Sequence, residues 1–149
     1  MLQKIVQNKT SVVYIILLLI GFISIRVFEN VLFYDPLLHY YKQQFQNLNI
    51  PELHNFKLTL SYTFRYFLNS VLSITLLWVL FKDSSLVNFS LFLFIILFLL
   101  LVMSFFIVLY FYGNEQKMIL FYIRRFIIQP IFILIFIPGF WYQKKAVRK

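Results

Sequence analysis

Arginines inside apolar segments are the residues of this chain whose type and position could do chemistry. Arg65 and Arg125 each lie seven residues into a predicted membrane span, and Arg26 closes another span on the same face. At about 1.5 Å per helical residue, both lie roughly 10 Å below that face. A guanidinium group stays charged and can bind a carboxylate or phosphate through two parallel hydrogen bonds. The arginines therefore predict either a polar pocket for an anionic group or anchors in the lipid headgroups.

The predicted pocket collects polar residues from several spans. Asn69 follows Arg65 by four residues and Gln129 follows Arg125 by four, so each pair shares one helix face. Arg124 points about 100° away from Arg125, so at most one of these two needs to reach the headgroups. Three acidic residues on the same face are candidate partners: Glu29, Asp35 and Glu115. The pocket is predicted to comprise seven residues: Arg26, Glu29, Arg65, Asn69, Arg124, Arg125 and Gln129.

Other chemistries find little support in the sequence. The chain has no Cys, which excludes disulfides, thiolate metal sites and a cysteine nucleophile. Its two histidines, His39 and His54, are fifteen residues apart, whereas helical ligand pairs are separated by three or four. Serines in the spans lack a basic partner that could accept a proton, because arginine remains protonated. We therefore predict no catalytic residues, no metal site and no cofactor.

Composition places the chain among membrane proteins. Hydrophobic residues make up 62% of the 149 positions, charged residues make up 13%, and 20 positions are Phe. A soluble domain of this length would need more charge to cover its surface. The net charge of +9 comes from lysines and arginines scattered in ones and twos, except in the tail. We expect an all-α integral membrane protein that contacts membrane lipids and binds no nucleic acid.

Four apolar runs are long enough to cross a membrane, which requires about 17 residues or more. Their connections are short, so neighbouring helices must run antiparallel within one membrane domain over 1–149. The predicted spans are 11–28, 58–81, 86–112 and 118–142, with an insert over 29–57 and a basic tail over 143–149. Pro130 and Pro138 predict a bend in the last span.

The insert over 29–57 holds three of the five acidic residues. Asp35-Pro36 is typical of a helix start, because the carboxylate can cap free N–H groups and Pro fits the first helical position. Five apolar residues at helical spacing predict an amphipathic interfacial helix: Leu37, Leu38, Tyr41, Phe45 and Leu48. Four residues are predicted to contact a partner: Phe33, Tyr34, Asp35 and Tyr41. The alternative is a loop that lies on the membrane for packing alone.

The distribution of basic residues predicts the orientation. Seven lie on the side of the termini: Lys4, Lys9, Lys82, Lys144, Lys145, Arg148 and Lys149. Four lie on the side of the insert: Arg26, Lys42, Lys57 and Lys117. Cytoplasmic segments carry the excess of Lys and Arg, so both termini are predicted cytoplasmic and the insert periplasmic. Counting Arg65, Arg124 and Arg125 with the insert would make the two sides equal.

Four runs, in order along nearly the whole chain, carry a resemblance to a known family. They are Arg26-Val-Phe-Glu29, Phe33-Tyr-Asp-Pro-Leu37, Arg65-Tyr-Phe-Leu-Asn69 and Tyr122-Ile-Arg-Arg-Phe-Ile-Ile-Gln-Pro130. Together they resemble the exosortase F system-associated membrane protein family of flavobacteria. The resemblance implies a small multi-pass protein of the bacterial inner membrane that works beside an exosortase, a membrane enzyme thought to process the C-terminal sorting tails of exported proteins. It carries over no site residues with established roles.

The functional expectation is a non-enzymatic accessory subunit that binds an exosortase-type enzyme or its substrate. The exosortase itself is excluded, since such enzymes rely on a catalytic Cys that this chain lacks. The alternative is a lipid-phosphate-binding membrane enzyme or carrier that uses the arginine cluster near the outer leaflet. A third hypothesis makes the chain a sorted substrate, because a final apolar span followed by a basic tail has the outline of a sorting signal.

Overall fold

The computed structural model describes residues 9–43, 47–113, 115–129 and 136–142. All regular structure in these ranges is helical. Six helices follow one another: α1 Lys9–Val27, α2 Glu29–Leu32, α3 Pro36–Lys42, α4 Asn55–Phe81, α5 Ser84–Tyr112 and α6 Lys117–Ile128. Residues 136–142 are also helical. The predicted all-α class is therefore confirmed.

Three helices, α1, α4 and α5, are long and apolar enough to cross a membrane. Each of these helices begins two or three residues before the predicted start of the corresponding span. Large apolar side chains on α1 and α5 remain exposed, among them Leu17, Ile23, Phe92 and Met103. Such an apolar exterior is what a lipid environment requires, since lipid tails are as apolar as these side chains. These helices support the interpretation as a membrane protein.

Helix α4 is the centre of the bundle, because it packs against α1, α5 and α6. Its buried face carries polar residues, including Arg65, Asn69 and Ser73, and this face lies inside the bundle. Tyr62 and Tyr66 lie on the neighbouring face and pack edge-on against Phe105 and Phe94 of α5, with ring centroids 5.4 Å and 6.3 Å apart. Aromatic stacking and burial thus hold α5 against one side of α4.

A two-residue turn reverses the chain between α4 and α5. Lys82 adopts the left-handed conformation at the end of α4, with φ 49°. Asp83 then caps α5, because its side chain accepts a hydrogen bond from the Ser85 backbone N–H at 3.1 Å. The cap satisfies one of the free donors at the helix start. The turn makes α4 and α5 antiparallel, as the short connection predicted.

The predicted fourth span over 118–142 is not one continuous helix. Helix α6 has 12 residues and ends at Ile128, where Gln129 adopts an extended conformation. The residue before a proline is disfavoured in the helical region, which explains why the helix stops just before Pro130. Of the two prolines from which a bend was predicted, Pro130 lies outside the described residues and Pro138 lies within the helical residues 136–142. Within the described ranges, only three helices reach spanning length, so the prediction of four spans is not confirmed.

The insert folds onto the bundle through α3. Leu37 and Leu38 are buried as the helical pattern predicted, whereas Leu48 is exposed and Phe45 lies outside the described residues. The Tyr40 hydroxyl donates to the Leu48 carbonyl at 2.8 Å. The Tyr41 hydroxyl donates to the Lys117 carbonyl at 3.2 Å. The seven-residue α3 therefore packs its apolar side against the bundle. Its predicted position at the membrane interface is not confirmed.

One prediction about the start of α3 is wrong in its detail. Pro36 occupies the first turn as expected, but the Asp35 side chain makes no capping hydrogen bond. Its carboxylate is used elsewhere, in contacts with α4 and α6. Arginine offers the carboxylate an opposite charge and two parallel hydrogen bonds, whereas a capping contact offers a neutral N–H group, which accounts for the preference.

Candidate functional site

Asp35 is the most buried carboxylate of the site, with its side chain 1% exposed. Arg124 of α6 holds it with two hydrogen bonds, from Nη2 to Oδ2 at 2.5 Å and from Nε to Oδ1 at 3.2 Å. The Tyr62 hydroxyl of α4 donates a third bond to Oδ1 at 3.3 Å. Two parallel bonds from one guanidinium fix both the distance and the orientation of the pair. Asp35 thus connects the insert to α4 and α6 at one point.

Glu29 forms the second half of the same network. Its Oε2 accepts hydrogen bonds from Arg65 Nη2 and from Arg26 Nη1, the latter at 2.9 Å. Arg65, whose side chain is 2% exposed, also places Nη1 3.7 Å from Asp35 Oδ2. Arg65 therefore lies between the two carboxylates and links them. We call Arg26, Glu29, Asp35, Arg65 and Arg124 the ion network.

Aromatic rings of the insert cover the two buried arginines. Arg65 lies against the Phe33 ring, 5.2 Å from its centroid, and Arg124 lies 5.9 Å from the centroid of Tyr41. These are cation–π distances. Burial, with a smaller contribution from the neighbouring Tyr40, raises the pKa of Tyr41 above its usual value, so this hydroxyl stays neutral. The rings thus cover the two buried arginines of the ion network, whereas the Arg26 side chain is 59% exposed.

A second feature adjoins the ion network on the side of α6. It is a cavity of about 280 Å³ that we call the basic pocket. Four of its lining residues are basic and none is acidic: Arg26, Lys42, Arg124 and Arg125. The remaining lining residues are Leu38, Tyr41, Phe121, Ile128 and Gln129. The site therefore has a charge-paired interior and, beside it, two further basic residues, Lys42 and Arg125, that form no salt bridge within the described ranges.

The structure brings most of the predicted pocket residues together, in two groups. Arg26, Glu29, Arg65 and Arg124 belong to the ion network, while Arg125 and Gln129 line the basic pocket. Arg125 is exposed, and its Nε donates to Gln129 Oε1 at 3.1 Å. Asn69 lies apart from the carboxylates, and its Nδ2 donates to the Ile128 carbonyl at 2.8 Å. Glu115, a predicted acidic partner, is exposed and forms no salt bridge within the described ranges.

The buried arginine of α6 is Arg124, whereas the sequence interpretation placed Arg125 at the same depth as Arg65 and left open which of the two neighbouring arginines faces the bundle. A periodic signal for this choice exists in the sequence, because the buried residues of α6 follow the pattern Leu120, Arg124, Ile127 and Ile128. Tyr62, the third donor to Asp35, was not predicted either. It lies three residues before Arg65, and residues at that spacing are neighbours on a helix surface.

The four predicted partner contacts divide between interior and surface. Phe33 and Asp35 are buried, and Tyr41 is partly buried against Arg124. Tyr34 is 39% exposed and lies beside His54, with ring centroids 6.5 Å apart. Of the four, Tyr34 presents the largest accessible surface to a partner.

The part of the chain described by the structure contains no group of three or more His, Cys, Asp or Glu residues placed to hold a metal ion. Comparisons of the chain with protein-family models, with curated proteins and with solved structures find no match. Fold and site together define the class: an all-helical protein with apolar helices of membrane-spanning length and a buried ion network between the insert and the bundle.

Changing Asp35 to Asn should destabilise the protein strongly. The substitution removes the charge that balances two buried guanidinium groups, and breaking a buried pair in this way costs about 3–5 kcal/mol. The measurement is unfolding of the purified protein in mild detergent, followed by circular dichroism. Glu52→Gln is the matched control, because Glu52 is exposed and forms no salt bridge within the described ranges, so loss of its charge should leave stability unchanged. Equal stability of the two variants would contradict a structural role for the network.

Proposed function

We propose that this protein is a non-enzymatic accessory subunit of an exosortase-type protein sorting or processing system, in which it binds the enzyme or its substrate within the bacterial inner membrane. The four sequence runs that resemble the exosortase F system-associated family support the choice of system. The structural observation that supports a binding role is that the ion network holds the insert in one position on the bundle. A pre-organised surface loses little conformational entropy when a partner binds.

The surface offered to the partner lies where the insert meets the first turns of α4. A cavity of about 420 Å³, which we call the insert cavity, is bordered there by Leu32, Tyr34, Lys57 and Phe64. Leu32 and Phe64 are half exposed, at 54% and 49%. Aromatic and apolar side chains around a concavity are typical anchors of protein contacts. The proposed partner inserts an apolar side chain there and places polar atoms near Lys57.

The non-enzymatic part of the proposal rests on the chemistry of the residues present. Arg65 and Arg124 remain protonated and cannot serve as general bases. Glu29 and Asp35 are each ion-paired with arginines, which favours their charged form and disfavours proton uptake by them. A second candidate is the lipid-phosphate-binding enzyme or carrier, which the uncompensated charge of the basic pocket favours.

The proposed orientation places both termini in the cytoplasm and the insert in the periplasm. A fourth crossing within 118–142, interrupted near Pro130, would return the chain to the cytoplasm after α6. The larger number of lysines and arginines on the side of the termini supports this orientation. The same orientation puts the insert cavity and the basic pocket at the periplasmic end of the bundle.

Single cysteines test the orientation directly, because the chain has no native Cys. Ser84 is the first residue of α5, a 29-residue helix, and Glu115 lies just beyond its other end. Both residues are exposed. We expect a membrane-impermeant maleimide to label Glu115→Cys in intact cells with a permeabilised outer membrane. Ser84→Cys should be labelled only after lysis of the inner membrane. The reverse pattern would place the insert in the cytoplasm.

Co-purification tests the accessory role. An exosortase of the type that the resemblance implies would be co-expressed with this protein, and the complex isolated in mild detergent through a tag on this chain. We expect recovery of the enzyme with the wild-type chain and at least about tenfold lower recovery with Tyr34→Ala, because aromatic anchors of this kind contribute about 2 kcal/mol or more.

Tyr112→Ala is the matched control for this experiment. Tyr112 is also exposed and ends α5 at the same end of the bundle, but it does not border the insert cavity. Its variant should recover as much enzyme as the wild type. Failure of the wild-type chain to recover any enzyme would reject the accessory role, and equal losses in the two variants would reject the insert cavity as the contact.

A further inference from the structure

We propose that the basic pocket is a binding site for a phosphate group, carried by the headgroup of an anionic lipid or present as free phosphate. The inference deepens the second candidate function by naming the site and its ligand, and it does not depend on the accessory role, since it concerns a different surface from the insert cavity. Arg26, Lys42 and Arg125 supply the accessible charge, and the buried Arg124 also lines the pocket.

The charge balance of the site calls for an additional anion. The ion network contains three arginines and two carboxylates, and Lys42 and Arg125 add two further positive charges beside it. The seven groups together carry a formal charge of +3. Neither Lys42 nor Arg125 forms a salt bridge within the described ranges. An anion bound in the pocket would relieve the repulsion among these cations, which is stronger near low-dielectric surroundings than in water.

The arrangement of the donors suits a phosphate better than a carboxylate. The accessible cations come from three separate elements, namely Arg26 from α1, Lys42 from α3 and Arg125 from α6. Donors that approach from several directions match the tetrahedral oxygens of a phosphate, whereas one planar guanidinium is enough for the two oxygens of a carboxylate. Asp35 with Arg124 is an example of the latter arrangement in this same protein.

The apolar lining indicates that the phosphate is an ester. Leu38, Phe121 and Ile128 line the same cavity as the cations. Its volume of about 280 Å³ is close to the lower end of the range of about 300–1,000 Å³ for small-molecule sites, and so leaves room for more than a bare ion. The glycerol and first acyl carbons of a phospholipid would contact these side chains. A free phosphate would leave this part of the pocket unfilled.

The test uses the full-length protein, purified without any exosortase and exchanged into a phosphate-free, lipid-free detergent solution. Calorimetric titration would measure the affinities of dihexanoyl phosphatidic acid, inorganic phosphate and hexanoate. We expect both phosphate probes to bind with measurable heat and hexanoate to bind at least about tenfold more weakly, since it offers only two acceptor oxygens. Tighter binding of phosphatidic acid than of phosphate identifies the lipid headgroup as the ligand, and equal affinities identify free phosphate.

The double variant Lys42→Gln with Arg125→Gln should bind both phosphate probes at least about tenfold more weakly, because each charge-assisted bond is roughly twice as strong as a neutral one. Both residues are exposed, so the folded state should be retained, which thermal unfolding would verify. Lys9→Gln with Lys82→Gln removes the same charge from exposed sites outside both cavities and should bind as the wild type does.

Three results would overturn the inference: no binding of either phosphate probe to the wild type, hexanoate binding as tightly as phosphatidic acid, or equal losses in the two double variants. None of these results bears on the recovery of exosortase through the insert cavity. Loss of the accessory role would likewise leave the measured phosphate affinities unchanged. The two proposals can therefore fail separately.

Discussion

The burial of two carboxylates with two arginines, between the insert and the bundle, is the interaction on which the rest of the structure depends. Burying a charge without a partner costs several kcal/mol, so Arg65 inside α4 requires an acidic group close by. Glu29 and Asp35 supply it, and both belong to the insert. The position of the insert is thereby fixed by electrostatics as well as by the apolar packing of α3, and the surfaces beside it are fixed in turn.

The same constraint distinguishes the buried, paired arginines from the exposed one, for which we propose a binding role. Arg65 and Arg124 have carboxylate partners and aromatic cover, so their charge is used internally. Arg125, next to Arg124 in sequence, lies on the outer face of α6, where a ligand can reach it. Adjacent residues on a helix point about 100° apart, so Arg124 faces the bundle while Arg125 faces outwards.

Much of the fold follows from the sequence, because apolar length and short connections determine α1, α4 and α5. Glu29 and Asp35 could also be selected as partners for the arginines from their place near the same membrane face. The pairing of Asp35 with Arg124 could not, since it joins positions 89 residues apart and depends on how α6 packs. The early end of α6 was missed for a local reason: the apolar pattern continues through Gln129-Pro130, and the backbone preference before proline prevailed over it.

A double-mutant cycle between Asp35→Asn and Arg124→Gln tests the central claim most directly, with unfolding free energies measured in mild detergent. If the pair holds the insert to the bundle, each single change leaves a buried charge unpaired and the double change removes both. The loss of unfolding free energy in the double variant should then be smaller than the sum of the two single losses by at least about 1.5 kcal/mol. The cycle between Asp35→Asn and Arg125→Gln should be additive to within about 0.5 kcal/mol, because Arg125 does not contact Asp35. Additivity in both cycles would contradict the claim that this ion network fixes the structure.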